Sequence, residues 1–298
     1  MPAKKNTAIA SLLVGAIVWG LIWQPYRVLE QARVSAILAA TLTYLVAFIL
    51  GWIILRRRLR GVRPSWLLLA IALAGGGCNM GYVLATVHGE VMRVLLLFYL
   101  APLWTVLLSR LLLGERLNAA GGGVVALSLS GAAVMLWQPR FGVPLPENSA
   151  EWVGLAAGFL FALTNVLIRK TAHLSIELKS MAVFAGVIAV GLMLLPFEPL
   201  SLAPLGQPQA WLRVLLVGMV LLAVNLVVQF GLTHTPANQA VVIFLFELVV
   251  AAISSWLLAG EAMGAKEWLG GVMIVAASLF SGSMEKAQTS NDSAERSA

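Results

Sequence analysis

One strongly apolar stretch occurs twice in this chain, and its two copies align without a gap at an offset of 146 positions. The first copy runs from Leu95 to Glu115 and the second from Val241 to Glu261. The same register pairs Asn79 with Asn225, and it also pairs two of the three histidines. Matches between polar residues are less common by chance than matches between leucines. The sequence therefore predicts two copies of one structural unit.

The composition indicates that this unit lies in a membrane. Apolar residues make up 60% of the 298 residues, charged residues only 11%, and the mean hydropathy is +0.91. A soluble domain has roughly 25% charged residues. Because a helix needs roughly 20 apolar residues to cross the hydrocarbon, the chain has room for about ten. We expect an all-α membrane protein with ten transmembrane helices in two five-helix repeats around a central cavity.

The apolar runs and the breaks between them give approximate helix bounds. The ten predicted helices cover 8–25, 33–55, 66–87, 91–113, 118–137, 151–168, 177–195, 211–232, 236–258 and 267–284. Pro102 is expected to kink the fourth helix, because proline removes one backbone hydrogen bond. The first repeat is then 8–137 and the second 151–284, joined by a polar linker at 138–150. The remaining residues, 285–298, are polar and aperiodic, and we expect a disordered tail.

The positive charges indicate an orientation. With both termini in the cytoplasm, 14 of the 20 lysines and arginines fall on the cytoplasmic side and 6 on the other. The densest group is the run of arginines after the second helix, Arg56, Arg57, Arg58, Arg60 and Arg63. An excess of lysine and arginine marks the cytoplasmic side. Because five is an odd number, the second repeat is inverted relative to the first, an arrangement common in secondary transporters.

Glu247 is the sharpest candidate for a functional residue. It lies near the middle of the ninth predicted helix, among apolar neighbours. Ionisable residues at this depth usually serve a function. Two roles are open: a carboxylate that binds and releases a proton, or an anchor for a substrate ammonium group. The structural alternative is a protonated side chain hydrogen-bonded to a neighbouring helix.

Other polar and aromatic residues are weaker candidates for substrate contact. Asn79 and Asn225 match in the repeat, and their amides offer donors and acceptors that would suit a substrate with carboxylate and ammonium groups. Bonding between helices is an equally good explanation of both. The further candidates are Trp19, Tyr82, Tyr99, Asn165, Gln229, Phe244 and Phe246. For the aromatic members of this set, packing between helices is the alternative.

Four residues near helix ends match in pairs. His88 and His234 are expected just beyond the third and eighth helices, where either a pH-sensing gate or a structural role fits. Glu115 and Glu261 follow Gly114 and Gly260. We expect these carboxylates to accept hydrogen bonds from the start of the fifth and tenth helices, with Arg110 as an ion-pair partner of Glu115.

The residue inventory argues against an enzyme. The only aspartate is Asp292, no phosphate-binding loop motif occurs, and no nucleophile elbow or metal-ligand spacing is found. The single cysteine, Cys78, excludes a disulfide framework. We expect no cofactor and no metal. The net charge of +7 is spread between helices, so we expect no nucleic acid partner.

The paired Gly-Glu motifs carry a family resemblance. Leu-Leu-Gly-Glu at 112–115 and Leu-Ala-Gly-Glu at 258–261 end the fourth helix of each repeat. Ten helices with these turns resemble the drug/metabolite transporter superfamily of the EamA type, and most resemble its YddG-type exporters of aromatic and other amino acids. The resemblance implies a multi-pass protein of the bacterial inner membrane that exports amino acids by alternating access.

Other functions stay open at this point. A multidrug or cationic-metabolite efflux transporter would use the same architecture, and a membrane partner protein without transport activity is a third interpretation. The expected partners are the lipid bilayer and a small-molecule substrate. The sequence leaves the oligomeric state open, and a monomer is compatible with it.

Overall fold

The computed structural model describes residues 2–59, 65–139, 145–197, 206–259 and 263–281, and its regular elements there are helices. The helices are α1 Pro2–Leu21, α2 Trp23–Gln31, α3 Ala36–Leu55, α4 Trp66–His88, α5 Val91–Phe98, α6 Ala101–Leu113, α7 Ala119–Leu136, α8 Ser149–Lys170, α9 Ile176–Leu194, α10 Pro208–His234, α11 Ala237–Phe244, α12 Phe246–Ala259 and α13 Ala265–Phe280. Arg60, Arg63, Gly260, Glu261 and the predicted tail lie outside the described residues.

These helices confirm the all-α membrane fold. Within the described ranges, nine helical segments are long and apolar enough to cross a membrane. Three of the nine are composite, because α1 with α2, α5 with α6 and α11 with α12 each form one crossing. The tenth predicted segment corresponds to α13, which has 16 residues.

Some predicted bounds of the first, third and eighth helices were wrong. The first segment was expected to end near Pro25, but it continues as α2 to Gln31. Proline is tolerated there because Pro25 lies in the first turn of α2, where the backbone N–H groups need no partner within the helix. The eighth segment begins at Pro208 and ends at His234, so both histidines of the repeat lie in the last helical turn rather than beyond it.

Polar side chains set the starts of five helices. A serine or asparagine before the first helical residue accepts a hydrogen bond from a backbone N–H of the first turn, which has no partner within the helix. The residues that do so are Ser35, Ser65, Asn118, Asn148 and Ser175. These caps fix where α3, α4, α7, α8 and α9 begin.

The two long composite segments break at matching positions. The fourth segment breaks at Tyr99 and Leu100, and Pro102 follows within the first turn of α6. The ninth breaks at Leu245, which is Tyr99 shifted by 146 positions. Proline explains the first break, as predicted, but the second occurs without one. The shared position shows that the break belongs to the repeat.

The helices of the two repeats pack mainly on helices of the other repeat and do not form two separate bundles. In the first repeat, α4 packs on α8 and α9 of the second; its counterpart α10 packs on α1 and α3. The last helices of the repeats, α7 and α13, also pair. Each half therefore buries its apolar faces mainly on the other half.

Glycines allow the closest of these contacts. A side chain at Gly186 of α9 would collide with the carbonyl oxygen of Ala72 in α4, and one at Gly76 would collide with Gly186. At the α7–α13 contact, Gly131 and Gly270 stand against each other's carbonyl oxygens in the same way. Small residues at membrane helix interfaces let backbones approach closely.

The repeats are not arranged identically at the two ends of the bundle. We refer to the end that holds Glu115, Arg169 and Lys179 as the Glu115 end, and to the opposite end, which holds Arg93 and Glu151, as the Arg93 end. At the Glu115 end, α6 packs on α11. The symmetry-related pair, α12 and α5, forms no comparable interface among the described residues. The bundle is therefore tighter at the Glu115 end.

Gly186→Ala is expected to destabilise the fold. The added methyl group has no space against the α4 backbone, and overpacking of this kind costs roughly 1–3 kcal/mol, which corresponds to a melting temperature lower by about 2–10 °C. Gly122→Ala is the matched control, because no atom lies within 4 Å of a side chain built there. Heating of the detergent-solubilised protein followed by size-exclusion chromatography measures both. Equal melting temperatures for the two variants would contradict the close α4–α9 contact.

Candidate substrate site

Glu247 and Tyr99 meet where the two broken segments come together. The Tyr99 hydroxyl donates a hydrogen bond to Glu247 Oε1 at 2.7 Å. Tyr99 ends the first half of its segment, whereas Glu247 lies in the first turn of α12. The positive end of the α12 dipole favours a negative charge at this position. Tyr99 is buried, and Glu247 is partly exposed as a whole residue.

Small residues let α1 approach this site. A side chain at Gly20 would stand 2.8 Å from the backbone oxygen of Glu247. One turn further, the Trp23 indole N–H donates to Ser254 Oγ at 3.0 Å, and Ser254 Oγ donates to Gly20 O at 3.3 Å. These contacts hold α12, from Glu247 to Ser254, against the end of α1 and the start of α2.

A row of aromatic rings connects the two repeats beside Tyr99. Phe98 lies 5.2 Å from Tyr99 and 5.1 Å from Tyr82, measured between ring centroids. Phe161 of α8 lies between Phe98 and Phe244, and Phe244 is the residue that corresponds to Phe98 in the second repeat. The ring centroid of Phe161 is 5.6 Å from that of Phe98 and 5.8 Å from that of Phe244. Such pairs add to the burial of apolar area. The structure thus brings the predicted residues Tyr82, Tyr99 and Phe244 into one aromatic wall.

Two other predicted aromatic residues lie at the edges of this wall. Phe246 is partly buried and packs on the core around Tyr99 and Leu248. Trp19 is also partly buried and packs on the larger core that contains Phe244.

Asn79 is engaged in bonds between and within helices. It accepts a hydrogen bond from the Tyr44 hydroxyl at 2.8 Å and donates one to Gly75 O at 2.8 Å. Both polar atoms of the amide therefore have partners, which is the structural alternative considered for this residue. Its counterpart Asn225 differs, because the position that corresponds to Tyr44 in the second repeat is Val190, which has no hydroxyl.

The second repeat holds three amides with unpaired atoms. The atoms without a hydrogen-bond partner are Asn165 Nδ2, Asn225 Oδ1 and Gln229 Oε1, and all three residues are less than 10% exposed. Leaving such a group buried and unpaired costs roughly 1–3 kcal/mol. An arrangement that keeps three of them suits a ligand or water that supplies the missing partners.

Glu115 forms a contact between the repeats that differs from the prediction. Its carboxylate oxygens accept the Ala237 backbone N–H at 3.2 and 3.1 Å, and Asn238 Nδ2 lies 3.3 Å from Oε2. Glu115 therefore caps α11 of the other repeat and not the following helix α7, because Asn118 already caps that helix. The ion pair is with Arg169, at 4.0 Å, instead of Arg110.

The local backbone explains this reach. Gly114 ends α6 with φ +71°, a left-handed conformation that glycine adopts without strain. The chain turns there, so that Glu115 lies against the start of α11. Burial raises the pKa of Glu115, while the N–H of Ala237 and the Arg169 guanidinium act in the opposite direction.

Lys179 is a buried cation near the same cluster. Its side chain is 0% exposed, and Nζ donates to Ile168 O at 3.3 Å and to Thr233 Oγ1 at 2.5 Å. Arg169 donates to Thr233 O at 2.6 Å. Among the described residues, no carboxylate forms an ion pair with Lys179.

The Arg93 end is held by a separate ion-pair cluster. Arg93 lies 2.7 Å from Glu147 and 2.9 Å from Glu151, and it donates to Leu145 O at 2.9 Å. These contacts fix the start of α5 on the start of α8. The two histidines bond backward within their own helices, His88 to Leu84 O and His234 to Phe230 O.

A cavity of about 250 Å³ opens beside the break in the fourth segment. It lies between this break and α7, and its lining residues are Leu96, Tyr99, Leu100, Leu129, Ser130, Ala132 and Ala133. The lining is mostly apolar. In the described part of the chain, no three side chains of the His, Cys, Asp or Glu type come together as metal ligands.

Several residues of this region were not predicted from the sequence. Phe161, Tyr44, Arg169 and Lys179 were not proposed for the site. Phe161 and Arg169 lie one turn before and one turn after Asn165, so the face of α8 that carries Asn165 would have indicated both. The partnership of Tyr44 with Asn79 depends on tertiary packing and carries no local signal.

Together, two repeats of apolar helices, broken segments and a polar site between them define a multi-pass membrane transporter. A model of the EamA-like transporter family matches residues 6–137 and 148–283. The chain belongs to the EamA-like transporter family. A crystal structure of a protein 19% identical in sequence has the same fold, with a TM-score of 0.75 over 92% of this chain and 98% of that chain.

Curated relatives give no substrate. "Uncharacterized transporter YojE" of Bacillus subtilis (strain 168) is 27% identical over 180 residues, 57% of this chain and 58% of the relative. An "Uncharacterized transporter" of Archaeoglobus fulgidus is 26% identical over 73% of this chain and 77% of the relative. "Protein RarD" of Streptomyces exfoliatus is 30% identical over 57% of this chain and 53% of the relative. The matches to the Bacillus and Streptomyces proteins thus span little more than half of those chains.

The raised pKa of Glu115 predicts a pH-dependent stability difference. The folded protein holds the Glu115 proton more tightly than the unfolded chain, whose glutamate pKa is about 4.3. Wild-type stability therefore falls, relative to Glu115→Gln, as the pH rises from about 4.3 through the raised pKa, and the difference then levels off. Melting temperatures of both proteins from pH 4 to 8 measure it. A difference that is constant with pH would show that Glu115 does not titrate in this way.

Proposed function

We propose that this protein is a secondary transporter that exports amino acids, aromatic and other neutral ones, across the bacterial inner membrane by alternating access. The contact between Glu247 and Tyr99 beside the aromatic row carries this proposal. A carboxylate suits either a coupling proton or a substrate ammonium group, and the rings of Phe98 and Phe161 suit an apolar side chain. A site of this kind is largely apolar with a few placed polar groups.

The distribution of charge supports an orientation for this transport. We propose that the Glu115 end faces the cytoplasm, together with both termini, because it collects most of the lysines and arginines. Packing of α6 on α11 closes this end in the conformation described. Rocking of the two repeats would then exchange this contact for one between α5 and α12, the symmetry-related pair.

Efflux of cationic drugs is the second candidate. Glu247 would attract any organic cation. Its hydrogen bond to Tyr99 provides no group that recognises a carboxylate in the substrate. What distinguishes the two functions is therefore recognition of the second charge of an amino acid.

Uptake by proteoliposomes of the purified protein tests the proposal. Labelled phenylalanine, threonine and lysine are compared with a cationic dye, with and without an imposed pH gradient. We expect saturable flux of phenylalanine. Movement of the dye without amino acid flux would replace the proposal by drug efflux, and no flux of either would favour a partner protein without transport activity.

Removal of the Tyr99 hydroxyl tests the site itself. Tyr99→Phe is expected to reduce phenylalanine flux about tenfold, the loss expected for one hydrogen bond to a charged group. Tyr44→Phe is the matched control, because it removes a hydroxyl from a similar bond, 2.8 Å long, to Asn79. Equal flux in the two variants would place the site elsewhere.

Glu247→Gln distinguishes the two possible roles of the carboxylate. A proton-binding Glu247 predicts flux that no longer responds to the imposed pH gradient. An ammonium anchor predicts weaker substrate binding with the response retained. Unchanged flux with an unchanged response would exclude both roles.

A further inference from the structure

Two helices of the second repeat present matching lines of polar residues. On α8, Asn165 lies four residues before Arg169, and on α10, Gln229 lies four residues before Thr233. Residues four apart share one face of a helix. The helix α9 follows α8 and precedes α10 in the chain, and it crosses the bundle once. The helices α8 and α10 therefore run in the same direction.

Contacts at the Glu115 end fix the relative height of these lines. Lys179 Nζ bonds both Ile168 O, at 3.3 Å, and Thr233 Oγ1, at 2.5 Å. Arg169 also donates to Thr233 O at 2.6 Å. The helices are therefore neighbours at this level, and Asn165 and Gln229 each lie one turn deeper, about 6 Å along the axis of their own helix.

A second turn deeper brings the two lines to the aromatic row. Phe161 lies four residues before Asn165, and Asn225 lies four residues before Gln229. Phe161 is the ring that bridges Phe98 and Phe244. The order along the two helices is thus an aromatic level, an amide level and a cationic level.

The amide level lacks partners for both a donor and an acceptor. Asn165 is 4% exposed and Nδ2 has no acceptor; Gln229 is 2% exposed and Oε1 has no donor. One turn toward the aromatic row, Asn225 Oδ1 is also without a donor. A group that both accepts and donates hydrogen bonds would satisfy all three residues.

The first repeat shows that the fold does not require these amides. The positions that correspond to Asn165 and Gln229 are Trp19 and Val83. Asn79, which corresponds to Asn225, has both of its polar atoms paired. The unpaired amides are therefore a property of the second repeat and not of the repeated architecture.

The cationic level carries an excess of positive charge. Lys179 and Arg169 contribute two cations, and among the residues that the structure describes only Glu115 pairs with either of them, at 4.0 Å from Arg169. The excess of one positive charge favours an anion one turn away, at Asn165, because charges interact strongly in a buried environment.

We propose that Asn165, Asn225 and Gln229 bind the amino and carboxylate groups of a zwitterionic amino acid, with its side chain against Phe161. The carboxylate accepts from Asn165 Nδ2 on the cationic side, and the ammonium donates to Gln229 Oε1 and Asn225 Oδ1. This inference rests on the proposed function. It assigns both charges of the substrate to the amides, so that Glu247 has the proton-binding role rather than that of ammonium anchor. The amides are buried while α6 packs on α11, so the substrate enters when that contact opens.

Competition with partial analogues tests this assignment. Unlabelled phenylalanine, phenethylamine (which lacks the carboxylate) and 3-phenylpropionate (which lacks the ammonium) compete with labelled phenylalanine in proteoliposomes. The variants are Asn165→Leu and Gln229→Leu, which keep the volume and remove the amide. Ser180→Ala is the matched control, because it removes a buried, unpaired hydroxyl that lies off the two lines.

Both leucine variants are expected to weaken competition by phenylalanine at least about tenfold, the effect of losing a hydrogen bond to a charged group. Competition by phenethylamine should change less than about twofold in Asn165→Leu, since phenethylamine lacks the carboxylate that Asn165 binds. The melting temperature should not fall, since an unpaired amide is replaced by an apolar group of similar size.

Two results would overturn the assignment. If wild type transports phenylalanine and the leucine variants keep its preference over phenethylamine and 3-phenylpropionate, the amides do not bind the substrate, and the proposed function stands alone. If wild type moves a cationic dye but no amino acid, the proposed function fails and this inference fails with it.

Discussion

A helix that breaks inside a membrane leaves backbone groups that water cannot reach, so breaks are tolerated only where protein surrounds them. Two such breaks, at Tyr99–Leu100 and Leu245, occur at equivalent positions of the repeats. Tight bonds such as Leu103 N to Leu100 O, 2.9 Å, and Leu248 N to Leu245 O, 3.0 Å, recover part of the lost bonding. The free helix start that remains favours the carboxylate of Glu247. The site, the aromatic row and the division of each long segment all follow from these breaks.

The Gly-Glu turn connects that centre to one end of the bundle. Gly114 reverses the chain, and Glu115 caps α11, the first half of the other broken segment. A motif repeated in both halves thus joins the fourth segment of one repeat to the ninth segment of the chain. In the described conformation this joint holds the Glu115 end closed, while α5 and α12 lack the equivalent packing.

Periodicity and repeat register were sufficient to predict the helices, because apolar runs of membrane length have few alternatives. The break near Pro102 was predicted because proline has no backbone N–H to donate. The break at Leu245 has no local signal in the sequence and could be inferred only from the corresponding position, Tyr99. The partner predicted for Glu115 was also wrong. Asn118 already caps the following helix, α7, and Glu115 instead caps the start of α11, which has no side-chain cap of its own.

The sequence indicated the candidate site residues but not the side chains that they contact. Glu247, Tyr99 and the amides were identified as polar residues at the wrong depth for lipid, which is a property of sequence. Their partners were not: Tyr44 beside Asn79, or Lys179 beside Thr233, depend on which helices become neighbours. Identical residues at matched positions, Asn79 and Asn225, therefore have different bonding, because Val190 replaces the hydroxyl of Tyr44.

Alternating access requires that the repeats exchange a closed Glu115 end for a closed Arg93 end. The most direct test is the distance between spin labels at Val91 and Leu258, two exposed positions on α5 and α12, in a Cys78→Ala background. Alternating access predicts two populations of this distance, and the fraction of molecules with the shorter distance should change when phenylalanine is added. A single distance that is unchanged by substrate and by pH would contradict alternating access in this protein.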